Sequence, residues 1–313
     1  MKQLQFELWS ACNSRCKFCY LGEENRCTPD HYKIQALKDT LEKISNLEIY
    51  KEYNTLSYLG GEFFQGQLNT PEIHDLFMQL MEKTAWLLKN KYIEHVWLYA
   101  TMTLGDQKDL YEAVKFFDGH PNFWILTSYD TLGRFHTKQM EETWSYNMLK
   151  LHELYPDIKF NITSILSEDL IDKYLAGTFS FKEMMEKYNC TFFLKQCGKG
   201  PYTKEEFCKR LPHFFPPRKK FLDFLRKFKQ EESDEMWTKL FDIHYRADTL
   251  YRNYNTDDRR MELNTRNKES KVEEMVKDEC AEINKCGHLM NYAAYSDSDK
   301  CCLCDKLMID NSL

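Results

Sequence analysis

No window of this 313-residue sequence holds the uncharged apolar run of about twenty residues that a membrane-spanning helix needs. The opening residues, Met1-Lys2-Gln3-Leu4-Gln5-Phe6-Glu7-Leu8-Trp9, lack the apolar core of a secretion signal. The expectation is a cytoplasmic protein with no membrane partner. Internal repeats and low-complexity segments are also missing. An excess of positive charge is missing too: the net charge of −6 gives no global reason to expect a polyanionic partner. Any nucleic-acid surface has to be local.

What is present is a chain long enough, and at 42% hydrophobic composition apolar enough, for one large core or a core with a small appended domain. Its twelve cysteines, in a reducing compartment, point to metal binding or redox chemistry rather than to structural disulfides. Short β-rich runs at 4–9, 55–59, 95–100, 123–127, 159–165 and 191–195 alternate with longer helical patterns, the signature of parallel βα units. Thr28-Pro29 and Thr70-Pro71 each place a capping hydroxyl before a proline at the start of a helix of about five turns. Six such units do not close an eight-stranded barrel. The predicted fold is therefore α/β, a partial (β/α)6 TIM-like barrel over 1–200. A charged helical segment follows over 201–271, broken near its start by Pro212, Pro216 and Pro217, and then a small cysteine-rich C-terminal extension over 272–313.

Directly after the first predicted strand comes Cys12-Asn13-Ser14-Arg15-Cys16-Lys17-Phe18-Cys19. Three thiolates on one tight loop can bind three irons of a cubane and leave the fourth iron open to chelate an amine and a carboxylate. A zinc site short of one ligand, or reduced thiols without a role, are the alternatives. After the second strand, Leu59-Gly60-Gly61-Glu62 offers backbone that a ligand can approach closely. After the fourth stands Leu126-Thr127-Ser128-Tyr129-Asp130, and Thr101 ends the third. All of these fall on strand C-terminal ends, where barrel active sites form.

CxxxCxxC with an aromatic before its last cysteine resembles the defining motif of the radical S-adenosylmethionine (SAM) superfamily. That resemblance implies that Cys12, Cys16 and Cys19 hold an oxygen-sensitive 4Fe-4S cluster whose free iron binds the methionine part of SAM, with Phe18 beside the adenine. It implies that Gly60, Gly61 and Glu62 contact the SAM amino group. In the family proline often follows; here Phe63 does. Ser128 matches a serine that reaches the ribose or carboxylate of SAM, and Arg134 and Thr101 are further candidate contacts. The implied activity is reductive cleavage of SAM to a 5′-deoxyadenosyl radical that abstracts hydrogen from a substrate: a peptide, a nucleotide or nucleic-acid base, or a small metabolite. The implied partner is a one-electron donor of the flavodoxin or ferredoxin type. No catalytic side chain is assigned.

The tail carries Cys280, Cys286, Cys301, Cys302 and Cys304, with a strand-like 291–295 and a polar turn at 296–299 between the two groups. It resembles the SPASM or twitch extensions of the same superfamily. An auxiliary iron-sulfur cluster, a zinc ion and unligated thiols all remain open there. Cys27, Cys190, Cys197 and Cys208 read as structural or incidental thiols, although Cys197, at the end of the sixth strand, could also supply a ligand or touch the substrate. Residues 209–229 hold eight Lys or Arg and one acid among five phenylalanines. Phe221, Phe224 and Phe228 share one helical face with Leu225, so inward packing is the expectation and a phosphate-tracking patch the alternative. The competing function is a zinc-binding interaction protein whose cysteine sites are structural.

Overall fold

The computed structural model describes residues 3–19, 27–105, 107–131, 133–195 and 218–231. The chain runs β1 (Gln3–Glu7), α1 (Asp30–Ser45), a short 3-10 helix (Leu47–Lys51), β2 (Thr55–Leu59), α2 (Pro71–Lys89), β3 (His95–Tyr99) and α3 (Lys108–Lys115). It continues through β4 (Phe123–Ser128), α4 (Lys138–Leu154), β5 (Lys159–Ile165), α5 (Glu168–Leu175), α6 (Phe181–Tyr188), β6 (Cys190–Lys195) and α7 (Arg218–Glu231). The six strands pair in chain order, every pair parallel. The sheet is open, with β1 and β6 at its two edges. This is the predicted partial (β/α)6 barrel.

Alternation along the strands gives the sheet two unlike faces. Leu4, Phe6, Leu56, Tyr58, Val96, Leu98, Phe123, Ile125, Phe160, Ile162, Phe192 and Leu194 are buried and in mutual register. Helices cover this face. The Tyr58 hydroxyl lies 2.6 Å from Thr84 Oγ1 on α2, and Trp144 of α4 donates its indole N–H to Thr127 Oγ1 at 3.0 Å. Burying twelve such side chains, at roughly 1.5 to 3 kcal/mol each, is the main force holding helices to sheet. On β3 to β6 the opposite face carries Trp97, Tyr99, Trp124, Asn161, Thr163 and Phe193, all half-buried. That face is the inner, concave one of a partial barrel.

Thr70 caps α2 as expected, its hydroxyl accepting from Ile73 N–H at 3.4 Å ahead of Pro71. α1 departs from expectation. It starts after Pro29 with no side-chain cap, because the Thr28 hydroxyl is used elsewhere.

α7 packs on α5 and α6 through Phe224 and Phe228, both 0% exposed, whose rings lie 5.1 and 5.8 Å from Tyr174. Lys227 donates to the carbonyls of Tyr174 and Leu175 at the end of α5 (3.2 and 3.0 Å), satisfying groups that a helix C-terminus leaves unpaired. Lys220 pairs with Glu168 and Asp172. These lysines and phenylalanines are therefore committed to the fold, which favours inward packing over a phosphate-tracking patch. Among the described residues no helix is long and apolar enough to cross a membrane. The tail cysteines, Cys197, Cys208 and the predicted 291–299 hairpin lie outside the described residues.

Candidate functional site

The cysteine loop leaves β1 and is tied down before its first thiol. Gly61 N–H donates to Trp9 O at 2.8 Å and Glu62 N–H to Ala11 O at 3.0 Å. Thr28 Oγ1 accepts from the N–H groups of Ser10 and Ala11, both at 3.2 Å, which is why it does not cap α1. Below the loop, Trp9 packs edge-on against Phe63 at 5.1 Å. Phe63 thus serves as an aromatic anchor under the loop. Cys19 N–H bonds Cys16 O at 3.2 Å, making residues 16–19 a tight turn. Cys16 is buried, Cys12 and Cys19 are half-buried, and Cys27 is exposed. Cys190 is packed away from this end, its thiol pushed up to about 12 by burial.

The β2 loop supports the cysteine loop at van der Waals limits. A Cβ on Gly60 would stand 2.2 Å from Trp9 O, and one on Gly61 would stand 2.2 Å from Ala11 O and 2.3 Å from Ser10 O. What the two glycines admit is the backbone of residues 9–11. Glu62 is 3% exposed and turned inward, accepting from Phe64 N–H at 3.1 Å and Thr101 N–H at 2.5 Å. Burial raises its pKa, while Thr101, Phe64 and Arg134 pull it back. Its carboxylate holds the β3 loop. A contact to a cofactor from this segment is left to the backbone. Thr101 is also buried, and Gln65, which the sequence reading passed over, reaches Asn13, Ser14, Thr101 and Thr103 from the same loop.

The β4 loop closes the third side, with Lys17 N–H donating to Gly133 O at 3.0 Å. The Arg134 guanidinium lies 5.7 Å from the Phe18 ring centre, a cation-π distance, and its Nε is 3.6 Å from the Asp130 carboxylate. Burial opposes the charge on Arg134, but Cys16, Asp130, Cys12 and Glu62 outweigh it and raise its pKa. Asp130 is 5% exposed and accepts from Ile165 N–H at 2.6 Å. Burial pushes it up to about 6 against the pull of Arg134 and of that N–H. Ser128, the last residue of β4, stands half-buried on the concave face beside Thr163.

The structure therefore brings Cys12, Cys16, Cys19, Phe18, Gly60, Gly61, Glu62, Thr101 and Arg134 together on connected loops at one end of the sheet, with Ser128 at the same end. The sequence reading gives Gln65 no role, and Asp130 enters it only as the end of the 126–130 segment. A polar residue directly after Phe63-Phe64, and a carboxylate two residues after Ser128, were the available signals.

The donor set suits an iron-sulfur cluster. Burial, Glu62 and the charges of Cys16 and Cys19 push the Cys12 thiol up to about 11, so a metal bound there has to displace its proton. Among the described residues no three His, Cys, Asp or Glu converge on a single-ion position. A cubane takes one thiolate on each of three irons, and so accepts a wider spread of sulfurs than one ion does.

No protein-family model matches the sequence, and no curated protein sequence matches it. Among solved structures, Streptococcus suis SuiB bound to S-adenosylmethionine is similar at a TM-score of 0.45 and 14% identity, over 74% of this chain and 48% of that one. A second SuiB structure gives 0.45 and 13%, over 74% and 47%. SuiB bound to the precursor peptide SuiA gives 0.44 and 14%, over 76% and 50%. This chain spans about half the length of the SuiB chains.

Proposed function

We propose that the protein is a radical SAM enzyme. The observation that carries this reading is the CxxxCxxC loop at the C-terminal end of β1, hydrogen-bonded through Gly61 and Glu62 to the β2 loop and through Lys17 to the loop of Arg134. Cys12, Cys16 and Cys19 would hold a 4Fe-4S cluster. That cluster would supply the single electron that reductive cleavage of SAM requires.

The chain's own residues bind, orient and shield. Arg134 offsets the negative charge of the thiolates. Phe18, beside Arg134, is the aromatic residue an adenine ring would lie against. Glu62 and Thr101 fix the β3 loop over the site, and backbone at Gly60 and Gly61 is left for the amino group of SAM. Ser128, Tyr99, Asn161 and Thr163 line the concave face, where a substrate would give up hydrogen. That substrate is a peptide, a nucleotide or nucleic-acid base, or a small metabolite, and the electron would come from a flavodoxin or ferredoxin. For Cys280, Cys286, Cys301, Cys302 and Cys304 the reading is a second, auxiliary iron-sulfur site.

Anaerobic reconstitution tests this reading. Bound iron and acid-labile sulfide, with a brown absorbance that depends on Cys12, Cys16 and Cys19, are expected. One tightly held zinc per chain and no sulfide would replace the proposal with a structural zinc protein.

A further inference from the structure

Gln65 uses every hydrogen-bonding group of its carboxamide inside the protein. The side-chain oxygen accepts from Asn13 N–H at 2.9 Å. One amide hydrogen goes to Ser14 Oγ at 2.6 Å, and the other is shared between Thr101 Oγ1 at 3.2 Å and Thr103 Oγ1 at 3.4 Å. The backbone carbonyl of Gln65 also accepts, from Asn13 Nδ2 at 2.6 Å. The residue is 4% exposed.

These bonds complete a ring. Ala11 O accepts from Glu62 N–H, the Glu62 carboxylate accepts from Thr101 N–H, Thr101 Oγ1 accepts from Gln65, and Gln65 Oε1 accepts from Asn13 N–H. The residues at its two ends, 11 and 13, are the immediate neighbours of Cys12. The backbone of Cys12 is therefore held on both sides by loops that follow β2 and β3, and Gln65 joins the two, bonding Asn13 and Ser14 on one side and Thr101 and Thr103 on the other.

We propose that Gln65 is a positioning residue: by clamping residues 13 and 14 it fixes the Cys12 arm of the loop, and with it the seat of the cluster, relative to Glu62 and Thr101. This rests on the radical SAM reading. The clamp acts on the ligand arm itself, since Asn13 and Ser14 lie between Cys12 and Cys16. Gln67, in the same loop and nearly as buried, is a natural contrast, because its bonds go to Lys33 on α1.

The test uses the full chain, loaded anaerobically, reduced and challenged with an iron chelator below its unfolding temperature. The readout is decay of the part of the electron paramagnetic resonance signal that changes when SAM is added. Gln65→Met keeps the shape and removes the clamp, and it should lose that signal about tenfold faster than wild type. Gln67→Met should decay at the wild-type rate, although it also loses a buried hydrogen bond, from Lys33. Asn13→Ala removes only the bond to the Gln65 carbonyl and should speed decay about threefold. It serves if Gln65→Met does not fold well enough to load. Wild-type decay in Gln65→Met or, failing that variant, in Asn13→Ala would overturn the positioning role. Equal acceleration in Gln67→Met would overturn it as well, by showing general loosening. A wild-type protein with no SAM-responsive signal would instead overturn the radical SAM reading on which this rests.

Discussion

Gly61 shows how a residue chosen for one reason serves another. Glycine after a strand suggests room for a ligand, yet the atoms pressing on Gly61 are Ala11 O and Ser10 O, 2.2 and 2.3 Å from where a Cβ would be. Backbone cannot move aside as the end of a side chain can. Gly61→Ala should therefore cost about 2 to 4 kcal/mol and lower the iron bound per chain, because relief comes by displacing the cysteine loop. Urea unfolding of the metal-free protein and iron analysis check this, and wild-type values in both would mean that the loop has slack. Asp130 gives a pH-dependent counterpart. Its folded-state pKa of about 6 lies above the ordinary 3.8, so the stability it contributes is full below pH 4 and is lost as pH rises through 6. The loss is at most roughly 3 kcal/mol. Asp130→Asn carries no such titration. Measured against wild type, its relative stability should improve between pH 4 and pH 7; a difference that stays flat over that range would mean Asp130 is ionised throughout.

At the scale of elements, the loop after β3 is held by α4. Met102 adopts φ 56°, in the left-handed region where a residue with a side chain is strained. Asn147, 0% exposed, offsets this by donating to Met102 O and Leu104 O, both at 2.9 Å, and by accepting from the Tyr111 hydroxyl at 3.1 Å. Asn147→Ala should cost about 2 to 3 kcal/mol, since it removes the buried amide bonded to Met102 O and to the Tyr111 hydroxyl, while Leu104 O keeps Gln107 Nε2 at 3.0 Å. Thermal unfolding measures it, and a loss below about 0.5 kcal/mol would mean that water replaces the amide.

The strands were legible because each pairs a buried apolar face with a distinct second face: 55–59 and 159–165 match to the residue, and the others shift by one or two. α1 shows where local pattern stops. Thr28 has the composition of a cap, but two unpaired N–H groups from a segment eighteen residues earlier in the chain compete for its hydroxyl and win. The cysteine and glycine segments could be placed at one end of the sheet because each directly follows a strand in the chain. Gln65 and Asn147 could not, since an amide declares its role only through partners 36 to 52 residues away.

For the molecule as a whole, an open sheet with helices on one face leaves the concave face of β3 to β6 half-buried, with the cysteine loop at one end of it. If the tail holds an auxiliary cluster, the reconstituted protein should bind about eight irons, and the triple variant Cys12→Ala, Cys16→Ala, Cys19→Ala about four. No iron in that variant would confine cluster binding to the barrel. The most direct test of the central claim is SAM cleavage. Anaerobically reconstituted wild-type protein, reduced with dithionite and given SAM, should release 5′-deoxyadenosine and methionine in equal amounts, and Cys16→Ala should release neither. No 5′-deoxyadenosine from iron-loaded wild type, or the same yield from Cys16→Ala, would contradict it.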